Sequence, residues 1–109
     1  MYNQLKKIVT MDKKYNTLDT INTNHFYCGS IDDINNGMGY DNVFPTLDDA
    51  KIWIDEALDE FNSSGIGMSN IVVEIREYTL SEDDFNFING DINAFFDNQY
   101  ELPYKVIEF

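Results

Sequence analysis

The chain of 109 residues is 43% hydrophobic, 15% aromatic and 25% charged, a balance that supports one ordinary globular domain and excludes a disordered acidic tail. Seven Lys and Arg against twenty Asp and Glu give a formal charge of -13, so a nucleic acid held through its phosphates would be repelled by the chain as a whole. Cys28 is the only cysteine; no intramolecular disulfide can form, and the composition fits a reducing cytosol. The first twelve residues contain no apolar signal-peptide core, and no later run approaches ~18 apolar residues, so neither secretion nor membrane insertion is expected and the predicted compartment is the cytoplasm.

Charge is unevenly placed. Lys6, Lys7, Lys13 and Lys14 face only Asp12 within the first fourteen positions, four charges against one, or about +3. Beyond them Lys51, Arg76 and Lys105 stand against nineteen acids, leaving about -16 on the remainder. Repulsion of that size disfavours a compact monomer unless a cation or basic partner relieves it.

In chain order, residues 1 to 23 are polar and without a clean period, an irregular or N-terminal arm in which Leu5, Ile8 and Val9 suit one helical turn or a short edge strand. His25 to Ile31 reads as a strand ending at Asp32 and Asp33. Asn36-Gly37 and Gly39 mark a turn, and Val43-Phe44 a second short strand before Pro45. Thr46-Leu47-Asp48-Asp49 is a capping-box start. From it Leu47, Ala50, Ile54, Ala57, Leu58 and Phe61 fall in one arc of an amphipathic helix over 46–62, ended by Ser63 to Gly67. Ile71 to Thr79 alternates, with Ile71, Val73 and Ile75 on one side and Val72, Glu74, Arg76 and Tyr78 on the other, the best strand in the chain. Ser81-Glu82-Asp83-Asp84 repeats the capping pattern. Phe85, Ile88, Ile92, Phe95 and Phe96 keep helical phase, which predicts a second helix from 82 to about 98; the rival is a hairpin at Asn89-Gly90. Tyr104 to Phe109 reads as a closing strand. The expected fold is a single α+β domain over 1–109, an antiparallel or mixed sheet of three to four strands packed on two helices.

Candidate chemistry is sparse. His25 and Cys28 stand three apart on a strand and so face opposite sides, without the second ligand pair a zinc site needs. Neither glycine-centred loop has calcium-ligand spacing. Twenty acids make any chosen carboxylate pair unspecific for acid–base work. No catalytic residue, metal ligand or cofactor is therefore assigned, and no enzymatic activity is expected.

The informative constellation is the outer face of the 46–62 helix. Asp48, Asp55 and Asp59 project near one angle and Asp49, Glu56 and Glu60 near another, two carboxylate rows within about 18 Å of axis. That density is comparable to one strand of duplex DNA, a charge about every 3.4 Å. Ile52 projects into the middle of this arc, and an apolar anchor ringed by charge is how a binding surface joins steering to desolvated contact. Asp48, Asp49, Ile52, Asp55, Glu56, Asp59 and Glu60 are accordingly the candidate partner-binding residues. Tyr78, Tyr100 and Tyr104 either extend this surface or pack in the sheet and core.

In size, charge, single cysteine and Asn/Asp/Tyr-rich composition the chain resembles small phage and mobile-element inhibitors of the anti-CRISPR or DNA-mimic kind, a likeness of character that rests on no motif. It implies an acidic protein that blocks a nuclease or other nucleic-acid-binding effector stoichiometrically in the host cytoplasm, docking on a basic protein surface and binding neither nucleic acid nor membrane. The alternative is a small structural or regulatory interaction domain, as a homodimer, whose charge serves solubility.

Overall fold

The computed structural model describes residues 14–63 and 70–108. Among these residues four strands, β1 (His25–Asp33), β2 (Met38–Phe44), β3 (Ile71–Thr79) and β4 (Tyr104–Ile107), and three helices, α1 (Leu47–Ser63), α2 (Glu82–Ile88) and α3 (Ile92–Asn98), form a small α+β domain. The sheet is antiparallel throughout, in the order β2-β1-β3-β4. The predicted turn of Leu5, Ile8 and Val9, the glycine stop after Ser63 and the last residue of the closing strand lie outside the described residues.

β1 and β2 form a hairpin. At its turn Asp33 accepts from the Asn36 amide and side chain (3.3 and 2.6 Å), and Gly37 adopts φ +64°. β2 begins at Met38, five residues before the strand expected from Val43-Phe44. Its outer half, where Met38 and Tyr40 alternate with the weak strand formers Gly39 and Asp41, is exposed; backbone pairing to β1 holds it.

Alternation along the strands divides the core in two. On one face Ile31, Phe44 and Ile75 receive Ala50 and Ile54 of α1, with Trp53, Ala57, Leu58 and Phe61 around them. Burying each isoleucine stabilises by about 1.5–3 kcal/mol. Gly29 permits the close approach of α1: a Cβ there would stand 3.0 Å from the Trp53 ring and 3.2 Å from Phe44. On the other face Phe26, Cys28, Val43 and Tyr78 pack with Ile88 and Phe95 of the short helices, and with Ile21, Leu80 and Leu102.

The continuous helix expected over 82–98 is instead two helices, and the rival hairpin does not form. Ser81 caps α2 by accepting from the Asp84 amide (3.2 Å), Asn89 (φ 52°) and Gly90 (φ 76°) turn left-handed, and Asp91 caps α3 by accepting from Asn93 (2.9 Å). Asn-Gly ends α2 because both residues tolerate positive φ. The helical phase survives the break because both helices set their apolar side chains on the same sheet face.

Residues 14–21 cross the β2 edge. Tyr15 packs edge-on to Phe44 on the α1 side (6.2 Å), the Leu18 amide donates to the Val43 carbonyl (2.8 Å), and Ile21 enters the opposite core, its amide donating to Gly90 (3.1 Å).

Candidate interaction surface

α1 turns its apolar arc onto the sheet, so its remaining circumference faces outward. Asp48, Asp55, Glu56, Asp59 and Glu60 are exposed along it. Asp49 is not, which corrects its place in the acidic rows: it is 8% exposed, its amide donates to the Thr46 hydroxyl (3.2 Å), and its carboxylate accepts from that hydroxyl (2.6 Å) and from the Asn16 amide (2.9 Å). Capping turns a first-turn carboxylate back on the helix start and removes it from the outer row. Ile52 is half-buried and lies outside both described core clusters. Glu56 and Glu60 approach Tyr15, whose phenol is pushed up first by burial and then by these two carboxylates. The five exposed carboxylates therefore lie on a helix fixed at its cap and along its buried side.

The opposite face of the sheet holds a group that the sequence pattern did not mark. Arg76, which alternation puts with Val72, Glu74 and Tyr78 on one side of β3, is fully buried. Its guanidinium donates to the Tyr78 hydroxyl (2.9 Å), Gln99 Oε1 (2.6 Å), Ser30 Oγ (3.2 Å) and Cys28 Sγ (3.3 Å). Its carbon centre lies 4.7 Å from the Tyr100 ring centroid, 5.4 Å from that of Tyr104 and 5.7 Å from that of Tyr78. Glu74 Oε1 stands 3.3 Å from Nε, which makes no hydrogen bond. Burial opposes the charge on Arg76, but Cys28, Tyr78, Tyr100 and Glu74 outweigh it and the pKa is raised. Burial also pushes the Cys28 thiol up to about 12 and raises the Tyr78 phenol. Tyr78 is thus core, whereas Tyr100 and Tyr104 cover the guanidinium and keep their outer edges exposed. A lone Arg on a valine-rich strand carries no sequence signal for this arrangement; the nearest hint is the pair Tyr100 and Tyr104 just after Gln99.

His25 and Cys28 do face opposite sides of β1. His25 Nε2 lies 2.7 Å from Glu77 Oε2, to which the Tyr27 hydroxyl also donates (3.2 Å). The His25 hydrogen bond, with that of Tyr27, lowers the Glu77 pKa. This trio is exposed or half-exposed. An open hollow of about 460 Å³ lined by Asn22, Thr23, Asn24, Leu80, Glu82 and Phe85 contains one titratable side chain. Among the described residues no group of three or more His, Cys, Asp or Glu is arranged to hold a metal ion, and no helix is long and apolar enough to cross a membrane. The chain matches no protein-family model, no curated protein and no solved structure.

Proposed function

We propose that this chain is a non-catalytic binding protein that docks its acidic surface on a basic, nucleic-acid-handling site of another protein and blocks that site by imitating the placement of phosphates. The observation that carries the reading is the run of exposed carboxylates, Asp48, Asp55, Glu56, Asp59 and Glu60, on one rigid helix. Successive helical residues rise 1.5 Å, so the run extends about 18 Å, the length over which one DNA strand presents roughly five phosphates. Fixing the helix beforehand lowers the ordering cost of association, and the shared sign of the charges steers a basic partner toward it. Ile52, half-buried, contributes at most part of its side chain to the contact. The target fitting this chemistry is a nuclease or other nucleic-acid-binding effector in the cytoplasm, blocked one for one.

The test is capture of proteins from a bacterial lysate on the immobilised chain, with elution by graded salt and by duplex DNA. Retained proteins should be nucleic-acid-binding, released by moderate salt and displaced by DNA, and Asp55→Lys/Glu56→Lys/Asp59→Lys should abolish their retention while the far-ultraviolet circular dichroism stays unchanged. Undiminished retention by that variant would sink the reading.

A further inference from the structure

α2 and α3 cover only part of their side of the sheet. They lie over Phe26, Cys28, Val43 and Tyr78. Farther along the same face, strand register places Ser30, Asp32, Gly39, Asp41, Val72, Glu74 and Val106 together. Val72 and Val106 are each 49% exposed there, Tyr104 is 41% exposed, and Tyr100 is 68% exposed above Arg76. Outward aliphatic and aromatic residues on one open sheet face mark a contact surface more than a solvated one. Carboxylates are interleaved with them. Asp32 and Asp41 are exposed and lie near enough to Tyr100 to add to the rise in its pKa, after burial and against the lowering effect of Arg76. Glu74 sits on β3 between Val72 and Arg76.

Glu74 is ion-paired with the buried Arg76 (3.3 Å), but no described Lys, Arg or His stands within ion-pair distance of Asp32 or Asp41. Arg76 is buried beneath the tyrosines, Lys51 belongs to α1 on the other side, Lys105 shares the opposite face with Glu77, and Lys14 adjoins Tyr15, which packs on the α1 side. We infer that this half-open sheet face is a second docking surface, for a cationic amphipathic segment of a partner protein whose apolar side chains cover Val72, Val106, Tyr100 and Tyr104 while its Lys or Arg side chains reach Asp32 and Asp41. Charge selects the occupant: nucleic acid and anionic lipid are repelled, and a second copy carries a net charge of -13 of its own. The surface lies across the sheet from α1 and stands independently of the reading given to that helix.

The isotope-labelled chain of 109 residues is titrated with a short synthetic peptide of leucine and lysine at amphipathic spacing, and separately with its counterpart bearing glutamate for lysine, while backbone amide shifts are recorded. The lysine peptide should move the amides of Val72, Glu74, Tyr100, Tyr104 and Val106, and the glutamate peptide should not. Because both valines are half-exposed, Val72→Ser/Val106→Ser keeps the core and should weaken lysine-peptide binding about tenfold or more. Asp55→Lys/Glu56→Lys/Asp59→Lys should leave the same strand amides responding. Shifts confined to α1, equal binding of both peptides, no response at the strand face, or a concentration-dependent dimer that Val72→Ser/Val106→Ser dissolves would each overturn the assignment.

Discussion

Arg76→Met removes the guanidinium while keeping an unbranched side chain of similar length. The substitution deletes the hydrogen bonds to Gln99 and Ser30, both buried. Tyr78 keeps a partner, since its hydroxyl also donates to the Gln99 carbonyl at 2.7 Å. Gln99 Oε1 retains only the Cys28 thiol at 3.9 Å, and Ser30 Oγ loses its guanidinium donor. A buried polar group deprived of its partner costs about 1–3 kcal/mol, and loss of desolvated cation–π contacts adds about 1 kcal/mol. Relief of the guanidinium's own desolvation offsets part of this. Glu74 is left in contact with water and adds little, its side chain being 42% exposed. The net expectation is a loss of about 2–4 kcal/mol, a large share of the ~5–15 kcal/mol that holds a domain of this size together. Urea unfolding followed by circular dichroism should show the midpoint fall with unchanged slope, and the melting temperature should drop by about 10 °C or more. Arg76→Met/Gln99→Leu should be no less stable than Arg76→Met alone, a coupling of about 1–3 kcal/mol. A midpoint equal to that of the parent chain would refute the account of Arg76 as the tie between the sheet and the end of α3.

Three further outcomes are expected. Gly29→Ala places a Cβ 3.0 Å from the Trp53 ring and should destabilise by about 1–3 kcal/mol through overpacking, with altered Trp53 fluorescence; a neutral result would mean that α1 shifts freely on the sheet. Cys28, with its thiol pushed from 9.0 to about 12, should alkylate at pH 8 about a thousandfold more slowly in the native chain than in denaturant. The same shift raises a folded-state pKa, so its contribution to stability is full below pH 9 and is lost as pH climbs from 9 to 12; stability flat across that window would contradict it. Asn89→Ala removes the short polar side chain that makes φ 52° tolerable for a residue with a Cβ and should cost about 1 kcal/mol in thermal unfolding, while Asn89→Gly, which has no Cβ, should be nearly neutral.

What could be read in advance was whatever depends on periodicity over a long element. The helix from the Thr46 cap and the strand from Ile71 to Thr79 are both present, because each buries one regular face. Less legible was anything decided by a second layer. The polar-looking side of β3 is half core, since the short helices come to lie on Tyr78, and Gln99, Tyr100 and Tyr104 on Arg76. Nothing local announces a layer supplied by residues 82–102. Phe85, Ile88, Ile92 and Phe95 retained a helical phase through Asn89-Gly90, so periodicity alone could not reveal that the backbone reverses sign there. Asp49 shows a different limit: the same residue was read both as a cap partner and as a member of an outward row, and one carboxylate cannot do both.

The strand order β2-β1-β3-β4 fixes how the chain must assemble. β1 pairs with β3 across the whole of α1, His25 meeting Thr79 and Asp33 meeting Ile71. The hairpin and α1 leave a ribosome first, and until residues 71–102 follow, Phe26 and Cys28 have no layer above them. Closing so long a loop before its contacts repay the entropy slows the search for the native state. Nascent chains held at that stage present an unpaired β1 edge, and crowding, slow translation or truncation upstream of β3 will favour their aggregation over completion of the sheet.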